Sequence, residues 1–210
     1  MTMTPIQRRR ILAQLFTRPV FSLLSKTDGA QAALSFLTAT GVASPRGYQS
    51  AASIFEAAFS ELNGGYRNEY IYKATIANRI VFGKHNPRTT SMQVELPVGR
   101  SIVDIAVFNG TSTAYEIKTE FDTPKRLLSQ SSDYLRAFDH VYVVTHPDFA
   151  DRYASLVDER VGIAAITGRN SISVLRSAMS NAAHIEASAV FRMLRRSEYV
   201  DAVEWRCCIN

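Results

Sequence analysis

Two periods of hydrophobicity divide the chain. Up to about residue 81 the apolar residues recur at helical spacing, and beyond it they alternate in short runs. Thr4-Pro5 predicts a cap and first-turn proline, opening a helix whose apolar face is Ile11, Leu12, Leu15 and Phe16. A second helix is expected from about Ala30 to Thr40, stopped by Gly41, with Ser44-Pro45-Arg46-Gly47 as a loop. Ala51, Ala52, Phe55, Ala58, Phe59 and Leu62 predict a helix over Tyr48 to Leu62, ended by Asn63-Gly64-Gly65. A further helix from Arg67 to about Val81 would bury Tyr70, Ile71, Ala74, Ala77 and Val81.

The alternating part predicts strands at Gln93 to Pro97, Ser101 to Phe108 and Thr113 to Lys118. Thr123-Pro124 then opens a helix to about Phe138. His140 to Thr145 is a short buried strand, followed by a helix near Phe149 to Val157 and strands at Gly162 to Thr167 and Ile172 to Leu175. A last helix is expected over His184 to Arg196. Helix, three strands, helix, strand is an α/β order with a helix covering the sheet. The implied organisation is a helical N-terminal extension, 1–64, packed on a core domain, 65–210.

Composition narrows this picture only a little. The 210 residues suffice for one good core with an appendage, and 46% hydrophobic with 20% charged residues is ordinary for a globular chain. No apolar run is long enough to cross a bilayer, and Arg18 interrupts the apolar stretch after Arg8-Arg9-Arg10, so neither a membrane span nor a secretory signal is expected. The two cysteines, Cys207 and Cys208, are neighbours with nothing upstream to complete a zinc site, so a reduced tail in a cytoplasmic protein is expected. A net charge of +5, mostly from arginine, is compatible with a nucleic-acid partner. His85, His140, His146 and His184 lack metal-ligand spacing, and no glycine pattern suggests a nucleotide loop.

The charges inside the strands change the picture more. Asp104 lies in the second strand among Ile102, Val103, Ile105 and Ala106, and Glu116-Ile117-Lys118 ends the third. Ionised groups are usually excluded from such runs. Glu116 and Lys118 share one face, because alternate strand residues do. By itself the spacing is short enough to arise on a solvated strand. With apolar residues on both faces, opposed charges imply a pocket or a metal. Two carboxylates on neighbouring strands can share a hard divalent cation, and an adjacent lysine can offset phosphate charge. The arrangement depends on register. A two-residue Asn109-Gly110 turn would set Asp104 and Glu116 on opposite faces, whereas a three-residue loop or a bulge would set them on one face. In the next helix Gln130 and Tyr134 are four apart and share a face with Leu127.

Asp104, Glu116-Ile117-Lys118 and Gln130-x-x-x-Tyr134, in this helix–strand order, resemble the PD-(D/E)XK nuclease superfamily, with a RecB-like Gln-x-x-x-Tyr element. The wider run with Glu95, Arg100, Asp122 and Arg126-Leu127 resembles small, uncharacterised bacterial and phage members. The resemblance covers about Arg67 to Thr145, and Val103 stands where the superfamily name has proline. It implies a restriction-endonuclease-like core: a central mixed sheet flanked by helices. It also implies Mg²⁺- or Mn²⁺-dependent hydrolysis of DNA phosphodiester bonds by a metal-activated water. Asp104, Glu116 and the Ile117 carbonyl would be metal ligands, with Glu95 as an extra acid. Lys118 would position the water, Gln130 and Tyr134 would orient the site, and Arg100 and Arg126 would contact phosphate. Glu69 either matches the superfamily's helical acid or pairs with Lys73 at i,i+4. A homodimer is compatible with the resemblance. The alternatives are a catalytically silent nucleic-acid-binding module and a phage or host interaction protein on the same fold.

Overall fold

The computed structural model describes residues 3–25, 29–40, 50–64, 68–86, 88–120, 122–167 and 171–200. The expectations for Gly41, the 44–47 loop, Gly65, Arg67 and the two cysteines lie outside them. The chain divides into two compact units, Met1–Tyr72 and Lys73–Asn210. The division falls within a helix, where the hydrophobic pattern placed it at residue 64.

The first unit is helical. α1 (Pro5–Gln14) starts as its sequence predicts: Thr4 accepts from Gln7 N, and the Gln7 side chain accepts from Thr4 N. α2 (Arg18–Leu24) follows, then α3 (Gly29–Ala39) and α4 (Ala51–Asn63), the last capped by Ser50. Leu12, Leu15, Leu37, Ile54, Leu62 and Ile71 form the buried core. Phe16 stacks on Tyr70 at 4.2 Å, and Arg8 pairs with Glu61 at 2.8 Å. α5 (Glu69–Ile76) crosses the division and widens into a π-helical turn, Ala77–Val81, closed by Phe82 N donating to Ala77 O. Ile71 and Val81 are buried as their spacing predicts, together with Tyr72, Thr75, Ile76 and Ile80, whereas Tyr70, Ala74 and Ala77 are half-buried rather than buried.

The second unit is α/β. Its mixed sheet runs β1 (Ser91–Val98), β2 (Ser101–Phe108), β3 (Ser112–Lys118), β4 (His140–Thr145), β5 (Gly162–Ile166) and β6 (Ile172–Arg176) in spatial order. β1, β2 and β3 form an antiparallel meander. β4 and β5 join in parallel, and β6 returns antiparallel. The β3–β4 crossover carries a 3₁₀ turn, Pro124–Arg126, and α6 (Leu127–Leu135). α6 is thus shorter at both ends than Thr123-Pro124 and Phe138 suggested. α7 (Ala150–Ala154) links β4 to β5, and α8 (Ala187–Phe191) follows β6. α8 replaces the long helix expected over His184 to Arg196.

Two small residues let α6 approach the sheet. Ala106 and Ala114 pair directly across β2 and β3, and they belong to the same buried cluster as Leu127, Tyr134 and Phe138. Asp133 fixes the helix from the other side. Its carboxylate accepts from Arg100 N (3.2 Å) and Ser101 Oγ (2.7 Å) in the β1–β2 turn. That turn passes through Gly99 at φ +61°, a conformation in which Cβ would also lie 3.0 Å from Asp133 Oδ1.

Candidate functional site

The β2–β3 loop has three residues. Phe108 pairs with Ser112 and Ile105 with Tyr115, leaving Asn109, Gly110 and Thr111 outside the ladder. Gly110 takes φ +88°, and Asn109 N donates to Thr111 O at 3.0 Å. The odd count sets the next positions, Asp104 and Glu116, opposite each other on the α6 face.

At Asp104 the sheet opens. The β2–β3 ladder ends at Ile105, and the Asp104 carboxylate accepts the Ile117 N–H at 2.7 Å. On the other side Val94 and Leu96 pair with Ile105 and Val103, leaving Glu95 unladdered opposite Asp104 at φ +56°. A non-glycine residue held there costs on the order of 1–3 kcal/mol, and such strain clusters at functional sites.

Glu116 and Lys118 sit side by side on β3, 3% and 8% exposed. Lys118 Nζ donates to Glu116 Oε1 at 2.7 Å and to Gln130 Oε1 at 3.0 Å. Tyr134 Oη lies 2.7 Å from Glu116 Oε2 and 2.8 Å from Ile102 O. The phenol has one proton, and the carboxylate is the stronger acceptor, so it takes that proton. Burial first, then the Glu116 charge, pushes the Tyr134 hydroxyl well above its ordinary range, so it stays a donor. The strand end is held by Thr145 Oγ1 donating to Lys118 O (2.8 Å). Beyond it, Asp122 accepts from Thr119 N and Oγ1 (both 2.7 Å).

Asp104, Glu116, Ile117, Lys118, Gln130 and Tyr134 are therefore brought together. Glu95 turns to Lys73, 3.3 Å away, and is the more exposed partner. Glu69 is exposed on the first turn of α5, in the first unit. Arg100 and Arg126 are exposed at the β1–β2 turn and at the start of α6. Asp133 was not among the sequence candidates. It contacts residues more than thirty positions away, a separation that no periodicity reports.

Among the described residues no three His, Cys, Asp or Glu side chains gather at a metal-sized spot. The oxygen donors of Asp104 and Glu116 nonetheless fit a hard cation such as Mg²⁺. That ion is commonly held by one or two carboxylates, with substrate phosphates and water completing the shell.

These features define an α/β domain whose mixed sheet presents a carboxylate–lysine–tyrosine cluster beneath one helix. Residues 63–207 match the family described as Bacteriophage P4 protein cII, and the chain belongs to that family. It is 29% identical over 106 residues to Protein cII of Enterobacteria phage P4, covering 50% of this chain and 35% of that relative. The match thus spans about a third of the relative's length. A solved structure, the SPO1766 protein of unknown function from Silicibacter pomeroyi, aligns with a TM-score of 0.43 at 13% identity, over 65% of this chain and 88% of that one.

Proposed function

We propose that the second unit is a metal-dependent phosphodiesterase acting on DNA, on a restriction-endonuclease-like core. One observation carries the reading: the register sets Asp104 opposite Glu116, with Lys118 bonded to Glu116, on the face where the sheet is locally opened. Asp104 and Glu116 would hold Mg²⁺ or Mn²⁺, and the cation would supply Lewis-acid charge to the phosphodiester. The chain's own groups then have separable tasks. Lys118 places a fixed positive charge beside the scissile phosphate and orients water through its N–H donors. Gln130 and Tyr134 hold the lysine and the carboxylate in one geometry. Arg100 and Arg126, exposed near the ends of these elements, would contact the strand. A net charge of +5 supports a polyanionic partner. No helix among the described residues is long and apolar enough to cross a membrane, and a cytoplasmic setting belongs to the same proposal.

A second reading, the same fold without catalysis, draws on Glu116. Both its oxygens are already engaged by Lys118 and Tyr134, which is how a purely structural ion pair would look. Incubation of the purified chain with single- and double-stranded DNA and with RNA, in Mg²⁺, Mn²⁺ or EDTA, separates the two. Metal-dependent cleavage of DNA is expected. Asp104→Asn should cut its rate at least about 100-fold, because the amide oxygen still serves Ile117 N–H while the charge is gone. Equal cleavage by that variant, or none by the wild type in either metal, overturns the nuclease reading.

A further inference from the structure

The opposite face of the same sheet carries a recess that the carboxylate cluster does not use. Residues on β3 alternate, so Thr113 and Tyr115 look away from Glu116 and Lys118. On that side a cavity of 810 Å³ opens between the turns after α5 and strands β3 to β6. Volumes of this order suit small-molecule ligands.

Its floor is aromatic. Tyr115 and Tyr142, neighbours across β3 and β4, stack at 5.7 Å with their planes 16° apart. Gly162, paired with Tyr142 on β5, makes room for the ring: a Cβ there would lie 2.3 Å from it. The wall is basic. Arg79, Lys84, His85 and His140 line the cavity, and among the described residues no aspartate or glutamate does. Asp139 lies 3.4 Å from His140, and Lys84 is exposed on the turn after α5. One polar group completes the set. Asn109 places its Nδ2 3.0 Å from the His85 ring, while its buried Oδ1 has no hydrogen-bond partner among the described residues. A buried acceptor left unpaired is costly and marks a place for a donor. Burial pushes the Tyr115 hydroxyl up, so it too is kept as a donor.

A planar ring for stacking, an exposed lysine at the rim and an unmatched amide acceptor together describe an anionic ligand with a flat, hydrogen-bonding group. We propose that this cavity binds a free nucleoside phosphate, its base against Tyr142 within reach of Asn109 and its phosphate on the Lys84 side. The site lies back to back with the carboxylate cluster and does not depend on that cluster being catalytic.

Isothermal titration of the full chain with 5′-dAMP, deoxyadenosine, inorganic phosphate and a short single-stranded oligonucleotide tests it. Saturable binding of 5′-dAMP is expected, at least about tenfold tighter than either the nucleoside or phosphate alone, since base and phosphate each contribute. Lys84→Glu, on an exposed turn where folding is not at stake, should weaken it at least about tenfold, and Tyr142→Leu should do the same. The same titration in EDTA should give unchanged affinity, and this separates the proposal from the metal-dependent nuclease reading. The proposal is overturned by any of four results: no 5′-dAMP binding, unchanged affinity in Lys84→Glu, phosphate binding as tightly as the nucleotide, or loss of binding in EDTA. Binding confined to the oligonucleotide likewise rejects a free nucleotide as the ligand.

Discussion

Replacing Lys118 with methionine isolates the energetics of the buried cluster. The lysine and Glu116 are almost wholly removed from water and meet at 2.7 Å. Without the ammonium, Glu116 keeps only the Tyr134 hydroxyl, and Gln130 Oε1 loses its donor. Breaking one side of a buried ion pair typically costs about 3–5 kcal/mol, mostly from the charge left behind. Replacing both residues, Glu116→Met with Lys118→Met, removes both charges at similar volume, and Tyr134 can still donate to Ile102 O at 2.8 Å. That double variant should lie within about 1 kcal/mol of the wild type. Hydrogen exchange at the β3 amides, residues 112–118, reads the relevant unit directly, whatever the helical unit does. Lys118→Met should speed exchange there at least about 100-fold, and the double variant should restore most of the protection. If the single variant changes exchange less than about fivefold, Glu116 and Lys118 are solvated charges, and the reasoning from burial fails.

Two further outcomes follow from particular contacts. Asp139 accepts from Ser180 Oγ (2.6 Å), Thr111 Oγ1 (2.7 Å) and Asn181 N (3.0 Å), and those bonds, led by Ser180, hold its carboxyl at about 2. Its folded value lies below the unfolded one near 4, so its stabilising contribution is complete above about pH 4 and fades as pH falls towards 2. Acid titration of unfolding should show that loss, and Asp139→Asn should flatten the curve in the same window; an unchanged curve contradicts the assignment. Gly162→Ala should destabilise the second unit by about 1–3 kcal/mol in urea melts, because its methyl would overlap the Tyr142 ring and the adjacent Ala178 N. A loss below about 0.5 kcal/mol would mean that the ring moves freely.

Local patterns reached some of this structure and long-range contacts withheld the rest. β2 and β4 have the bounds their alternation implies, because turn-forming residues close both ends of each run. The cluster under α6 follows from two periodicities, the strand's two and the helix's four. α2 was not among the expected helices; Arg18 interrupts the apolar stretch there, although Pro19 suits a first turn. The C-terminal helix was overestimated for a different reason. Glu186 N donates to Arg136 O, and Arg136 grips the Glu186 carboxylate with two bonds of 2.8 and 2.7 Å. This clamp keeps Glu186 extended at the point where the apolar spacing called for helix. The left-handed turn at Glu95 has no sequence signal at all, since glutamate is a poor residue for it.

The three-residue loop at Asn109 to Thr111 makes the two faces of the sheet a question of parity. Residues on β3 alternate sides, so the loop's odd length decides which alternate set meets the helix. Removing one residue there would act as an inverter. Glu116 and Lys118 would be turned towards the tyrosine-floored recess, and Tyr115 and Ile117 towards α6 and Tyr134. Most surface loops tolerate changes of length at little cost. Here Gly110 has open space around its α-carbon, yet its φ of +88° favours glycine, and the count itself is constrained as well. Relatives that keep both faces in use should vary this turn in steps of two residues, or restore the phase with a bulge farther along the strand.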